Sequence, residues 1–335
     1  MASSSREPRI RRATILDVAA AARVSRQTVT RAMNDMPGIS PATRERVQQI
    51  AAELGYTPSR FAKGLVQGAR VSLGLAIPDL TNPYFPAFAS SVVEEATQRG
   101  WNVVVDDFGH GSGSGLDAVA RLAPQVDALI GYLGACSSDA QAMMGRRPVV
   151  VLDYPAGQAA GSISFDYSYG AELAFGRFQA EDRRRIAYLD SDQEGPATTR
   201  GLAVAAAADA AGIELIVGLS PDSAPAAREA VGSMLQEHGM MDGLLVFNDL
   251  MAAGALKALH DAGRAVPGDC SVIGMDGIPL GELVTPELTT LAIDLRAVGR
   301  SAVDLVDNLL SGAIRAGSKD ASLVLKHQLV RRQSA

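Results

Sequence analysis

From Val71 onward, short apolar runs recur at a spacing that permits few folds. They read SLGLAIPDL at 72–80, NVVVDD at 102–107, DALIGYL at 127–133, PVVVLDY at 148–154 and SISFDY at 162–167, then RIAYLD at 185–190, ELIVGL at 214–219, GLLVFND at 243–249 and CSVIGMD at 270–276. Between most of them lie Ala-rich or amphipathic stretches, such as 86–99, 197–211, 224–238 and 250–262. Apolar strands alternating with helices imply parallel βαβ units whose strands are buried on both faces. The strands are too many for one compact sheet of ordinary width, so the spacing predicts two doubly wound parallel-sheet subdomains. Such sheets take ligands beyond the C-terminal ends of their strands. Asp79, Asp106, Asp153, Asn248 and Asp276 fall at strand ends of this kind. Helix capping and turn chemistry compete with ligand binding for each of them.

Charge separates the rest of the chain from this body. The 335 residues carry a net −6, yet residues 1–70 hold 12 Lys and Arg against 5 Asp and Glu, a net +7. The remainder then holds 19 basic against 32 acidic groups, a net −13. A basic head on an acidic body confines attraction for phosphate to one end.

The head carries its own pattern. In TILDVAAAARVSRQTVTRAMNDMPGISPAT, at 14–43, a helical turn with Ile15, Val18 and Ala19 ends in a corner at Ala22 and Arg23. A second helix opens on Ser25, whose side chain can cap the free N–H groups of the first turn. Two short helices joined by a tight turn, the second bearing Arg26, Gln27 and Arg31, form a helix-turn-helix, a motif that lays its second helix in the DNA major groove. A third helix is predicted from Ser40, with Pro41 at its first position and an apolar stripe of Val47, Ile50, Ala51 and Leu54. In SRFAKGLVQGAR, at 59–70, Gly64 and Gly68 weaken helix formation by about 1 kcal/mol each, so a conditional helix is expected.

Other function classes find little support. The sequence around 109–115 fails the GxGxxG pattern at Ser114, and no GK[ST] or GxSxG is present. His110, His238, His260 and His327 lack metal-ligand spacing. Cys136 and Cys270 stand alone and read as small buried hydrophobes. The run EDRRR at 181–185 reads as a solvated turn. No enzyme, cofactor or metal is expected. No run of about 20 apolar residues offers a membrane span. Residues 1–12 lack a signal-peptide core and read as a disordered basic arm, so the chain is expected in the cytoplasm.

By these residues the chain resembles the lactose-repressor (LacI/GalR) family of bacterial transcription regulators over 13–332. The resemblance is carried by TILDVAAAARVSRQTVTRAMN, ISPATRERVQQIAAELGYTPSRFAKGL, GLAIPDLTNPYF, GLLVFNDLMAAGALKAL, SVIGMDG and PELTTLAID, in family order. It implies a helix-turn-helix domain at 13–58, a hinge helix at 59–70, and a two-lobed body of periplasmic-binding-protein type. The first lobe would comprise 71–165 and 293–322, the second 166–292 and 323–332. The resemblance places base reading on Arg26, Gln27 and Arg31, a chemistry that suits guanine and adenine edges. It places phosphate contacts on Thr14, Ser25, Thr28, Asn34, Ser40 and Thr43, with helix capping an equal explanation for Ser25 and Ser40. Leu65 would be the apolar wedge that kinks the operator through its minor groove.

Effector contacts would fall on Tyr84, Phe85, Asp153, Arg200, Asn248 and Asp276. An arginine that the family often carries three residues before a helix-opening glycine would fall on Thr198, with Arg200 the nearest arginine. A usually aromatic position holds Leu295. The implied function is a repressor that binds a palindromic operator as a homodimer, a tetramer left open, and answers to a sugar-like small molecule. Two alternatives stand beside it: a family member controlled by a partner protein without small-molecule response, and a sugar-binding protein.

Overall fold

Three short helices make up the described part of the first unit of this computed structural model, which describes residues 15–33, 36–54, 71–109, 114–154, 159–192 and 197–335. The chain divides into two compact units, Met1–Arg70 and Val71–Ala335. The expected arm, the hinge helix and the glycine-rich 110–113 lie outside the described residues. Helices α1 (Ile15–Ala22), α2 (Arg26–Met33) and α3 (Pro41–Glu53) close around Val18, Ala19, Ala22, Val29, Ala32, Val47 and Ala51. Small residues let the helices approach closely, so a handful of side chains suffices. Arg23 turns the corner in the left-handed region at φ 52, and Val24 N–H closes the end of α1 by donating to Ala19 O at 3.0 Å. Gln48 ties α3 to α2 by donating to Ala32 O at 3.1 Å.

The second unit contains two six-stranded sheets. In the first lobe the elements run β1 (Ser72–Ile77), α4 (Tyr84–Gln98), β2 (Asn102–Asp107), α5 (Gly115–Leu122), β3 (Ala128–Gly131), α6 (Ser137–Met144), β4 (Val149–Leu152) and β5 (Gly161–Asp166). The second lobe follows with α7 (Tyr167–Ala180), β6 (Ile186–Ser191), α8 (Thr199–Ala211), β7 (Ile216–Ser220), α9 (Ala224–His238), β8 (Gly243–Val246) and α10 (Asp249–Asp261). Then come β9 (Ser271–Asp276), the one-turn α11 (Leu280–Leu283) and β10 (Thr289–Ala292). The chain returns through α12 (Leu295–Ser311), which packs on α4 and the first sheet, to β11 (Ser322–Lys326) and β12 (Gln328–Val330).

The strand orders are β2-β1-β3-β4-β5-β11 and β7-β6-β8-β9-β10-β12. All ladders are parallel except that of β12 on β10. Each sheet therefore reverses its direction of growth beside its first strand, which makes a crevice at the strand C-termini. Strands with apolar side chains on both faces, such as β8 with Leu244, Leu245 and Val246 all buried, meet the helices that cover them.

Two expectations need correction. The last crossover was expected after 322, yet β11 pairs with β5 throughout 322–326, so the chain changes lobe at His327. The run 322–330 is two strands in different sheets separated by one residue, a break that hydropathy alone does not mark. Arg183, within the expected solvated turn, is instead an internal tie. It donates to Ser271 Oγ at 2.9 Å and to the carbonyls of Gly268 and Pro267, while Asp182 and Arg184 of that run stand in solvent, paired at 3.2 Å.

Candidate functional site

The head presents polar side chains on the face opposite its core. In α2 the buried positions are Val29 and Ala32, which leaves Arg26 and Gln27 exposed and Arg31 half-buried. Gln27 and Arg31 are one helical turn apart and share a face. Arg31 lies beside the turn at Gly38, whose φ of 95 favours glycine; a Cβ there would lie 3.2 Å from the guanidinium. Ser25 Oγ accepts from Thr28 N at 3.1 Å and Ser40 Oγ from Thr43 N at 3.2 Å, so both serines cap helices. Their hydroxyls also pair with those of Thr28 and Thr43, at 2.9 and 2.8 Å, which aligns four hydroxyls at two helix N-termini, places suited to a phosphate. Thr14, Asn34 and Leu65 lie outside the described residues.

The body gathers its polar groups in the crevice between the lobes. Arg200, on α8, is the hub. It donates through one terminal nitrogen to Asp276 Oδ1 at 3.2 Å and to Phe247 O at 2.8 Å, and through Nε to the Tyr167 hydroxyl at 3.1 Å. Its guanidinium lies over the rings of Phe247 and Tyr167, 4.5 and 5.1 Å from their centres. Tyr167 in turn donates to Asp153 Oδ1 at 2.6 Å. On the opposite wall Tyr84, Phe85 and Tyr132 pack edge to face, and the Tyr84 and Tyr132 hydroxyls meet at 2.8 Å.

Backbone strain marks the two carboxylates. Asp153 sits at φ 56 and Asp276 at φ 127, both in regions that favour glycine. Residues held so at a crevice are characteristic of ligand sites. Asp249, fully buried behind them, fixes the Asp276 loop: it accepts from Gly277 N at 2.9 Å, Ile278 N at 3.0 Å and the Thr290 hydroxyl at 2.6 Å. Burial pushes its carboxyl up to about 6 despite those bonds. Burial, and then the neighbouring Asp249 and Asp222, raise Asp276 well above the usual carboxylate range, with Arg200 acting in opposition.

Each residue expected here has a definite position. Tyr84, Phe85, Asp153, Arg200 and Asp276 line one crevice. Asn248 caps α10, accepting from Met251 N at 2.7 Å, while its amide donates to Asp222 at 2.6 Å. It therefore serves as a cap and still reaches the crevice. Asp106 is drawn away into a pair with Arg121, at 2.8 and 2.6 Å, and Asp79 closes a turn onto Thr81 at 2.7 Å. Thr198, buried, caps α8 and bonds to Asp190, which lies 2.1 Å from where a Cβ on Gly201 would stand. Counting back from Gly201 thus led to a capping residue, whereas the crevice arginine is Arg200. Leu295, at the start of α12, packs against the main core.

Sequence reasoning missed Tyr132, Tyr167, Asp222 and Phe247. Asp222, on the loop after β7, accepts from Asn248, and Asn82 of the first lobe lies near enough to act on its carboxyl, so it faces the crevice from the second lobe. Phe247, next to Asn248, could have been found as its strand-end neighbour. The others carry no local signal.

Comparisons with known proteins agree on both units. Residues 14–59 match the model of the lacI family of bacterial regulatory proteins, and 175–335 match the periplasmic binding protein-like domain. The chain is 30% identical to the ribose operon repressor of Halalkalibacterium halodurans, over 88% of this chain and 89% of that protein. A crystal structure of a LacI family transcriptional regulator from Arthrobacter sp. FB24 in complex with lactose is 59% identical. It covers 80% of this chain and 100% of its own, with a TM-score of 0.77. The lac repressor dimer bound to operator and the anti-inducer ONPF is 29% identical, over 97% of this chain and 99% of its own, with a TM-score of 0.75.

Proposed function

Because the chain belongs to the LacI/GalR family of DNA-binding transcription repressors, we propose that its operator affinity is set by a neutral, hydroxyl-rich sugar of the lactose class held between the lobes. The charge of the crevice carries this reading. Asp153, Asp222 and Asp276 surround one cation, Arg200, so the site offers more acceptors than donors. Sugar hydroxyls supply the missing donors, and each carboxylate takes two without giving up a proton. A phosphorylated or carboxylated ligand would meet like charge in a low-dielectric site. The aromatic wall of Tyr84, Phe85 and Tyr132 suits the apolar face of a pyranose ring. The regulator from Arthrobacter sp. FB24, 59% identical over 80% of this chain, was crystallised with lactose, which supports this ligand class.

The ligand acts by population. It stabilises whichever lobe arrangement brings Asp276 and Arg200 of one lobe onto the same molecule as Asp153 of the other, and equal affinity for two arrangements would shift nothing. At the operator, Arg26, Gln27 and Arg31 read bases, and Thr14, Ser25, Thr28, Asn34, Ser40 and Thr43 position the phosphates. Leu65 enters the minor groove. Two heads on a palindrome require a dimer, the state found in the lac repressor bound to operator. Calorimetric titration of the full chain with lactose and with a sugar phosphate tests the ligand class. Binding of lactose and rejection of the phosphate is expected; the reverse preference would refute the neutral-sugar reading.

A further inference from the structure

We propose that Tyr167 is a positioning residue that joins the ligand crevice to the hinge between the lobes. The inference rests on the crevice being the ligand site. Tyr167 opens α7 directly after Asp166, the last residue of β5, so it stands where the chain first passes from one lobe to the other. Its hydroxyl spans the crevice. It donates to Asp153 of the first lobe at 2.6 Å and accepts from Arg200 of the second at 3.1 Å, whereas Asp153 and Arg200 themselves stay 3.9 Å apart. Burial, opposed by Arg200, holds the phenol well above its usual range, so it remains a donor.

The other side of the ring meets the last crossover. His327, the single residue between β11 and β12, lies 5.3 Å from the Tyr167 ring at a 34° tilt, and its Nδ1 lies 3.3 Å from Asp166 O. Phe165 packs at 6.1 Å on the same ring. The phenol therefore touches two of the crossovers between the lobes and two of the charged groups that a sugar would engage, Asp153 and Arg200. A ligand hydroxyl that displaces the phenol from Asp153 or Arg200 changes the support of both crossovers at once. Coupling requires such a two-state element shared by site and hinge.

The test uses the full chain, lactose as probe, and a duplex selected by the wild-type chain from a random library. Tyr167→Phe keeps the ring and removes the hydroxyl. It is expected to weaken lactose binding about tenfold. At saturating lactose it should also cut the sugar-induced change in operator affinity about threefold or more. A role limited to folding would lower the thermal midpoint and leave the change at saturation intact. Wild-type values for both readouts would overturn the inference.

Two further measurements keep it open to refutation. If Tyr167→Phe does not fold, His327→Leu removes the stacking and spares the hydroxyl. It should diminish the operator response more than the lactose affinity, and equal losses would contradict the hinge link. If the wild-type chain ignores lactose, the ligand reading fails on its own. Hydrogen exchange at residues 165–168 and 326–329 then reads the hinge without sugar: faster exchange in Tyr167→Phe is expected, and unchanged exchange would overturn the proposal.

Discussion

The head and the body place their chemistry in opposite environments. In the head, Arg26 and Gln27 stand exposed on one short helix while a core of small side chains does the folding. In the body, Arg200 and Asp276 are largely buried and paired, Asp153 lies half-buried beside them, and both carboxylates sit at φ values that favour glycine. The head's functional groups can therefore change with little effect on folding, whereas those of the body are part of its stability. The proposed function calls for this division, since a surface that reads bases must be free to meet them, and a crevice proposed to sense sugar must be preorganised.

The sharpest break of the comparison comes from Arg200→Ala. Removing Arg200 leaves the buried Asp276 without its ion-pair partner, and breaking a buried ion pair costs about 3–5 kcal/mol. Denaturant unfolding should register that loss; a change below 1 kcal/mol would mean that the crevice is wetter and less interdependent than its geometry indicates. Arg31→Ala is the counterpart in the head. It should leave unfolding within about 0.5 kcal/mol of wild type. Operator binding should fall by about 1–3 kcal/mol, with relaxed preference at one base position. A uniform loss across all duplexes would put Arg31 on phosphate instead.

Ser40→Ala measures how far the two roles mix within the head. A lost cap costs about 1 kcal/mol of stability. Full stability with weakened DNA binding would make the hydroxyl a phosphate contact alone.

The smallest net effect concerns pH, and it belongs to the body, where two opposed shifts nearly cancel. Burial, and then Arg200, lower His327 from the ordinary 6.5 to about 4. Between those values the unfolded chain binds a proton that the folded chain refuses, so stability is full above 6.5 and is lost as pH falls toward 4. Asp249, pushed up from 3.8 to about 6 by burial, acts with the opposite sign and costs stability as pH rises through that window. Asp249→Asn should therefore steepen the loss of stability on acidification, and His327→Leu should flatten or reverse it. Parallel pH curves for all three proteins would contradict both assignments.

How much of this was legible in the sequence follows the same division. The recognition helix is a local pattern: a cap, a turn and an exposed face lie within 20 residues, and the structure realises them as read. The central strands from 72 to 276 were legible for the same reason, because burial on both faces leaves continuous apolar runs. The edge strands β2 and β7 kept such runs although Val105, Val217 and Leu219 are exposed. The crevice draws on residues from Asn82 to Asp276, brought together only by strand order. Asp153 and Asp276 could be suspected as strand ends, yet nothing local separated them from Asp106, which a surface pairing with Arg121 takes away. Tyr167 and Asp222 gave no sign, since a tyrosine opening a helix and an aspartate in a Pro-Asp-Ser turn are ordinary. Arg200 was legible only through the family resemblance, and the position three residues before Gly201, Thr198, is a helix cap bonded to Asp190.

The most direct measurement joins the two regions in one experiment. Operator affinity of the full wild-type chain is followed by fluorescence anisotropy on a selected duplex, alone, with saturating lactose, and with a sugar phosphate at equal concentration. A sugar-filled crevice that governs an exposed recognition helix predicts a shift of about fivefold or more with lactose, within the usual range of coupling between sites, and none with the phosphate. Lactose bound calorimetrically without any shift in operator affinity, or a larger shift with the phosphate, would contradict it.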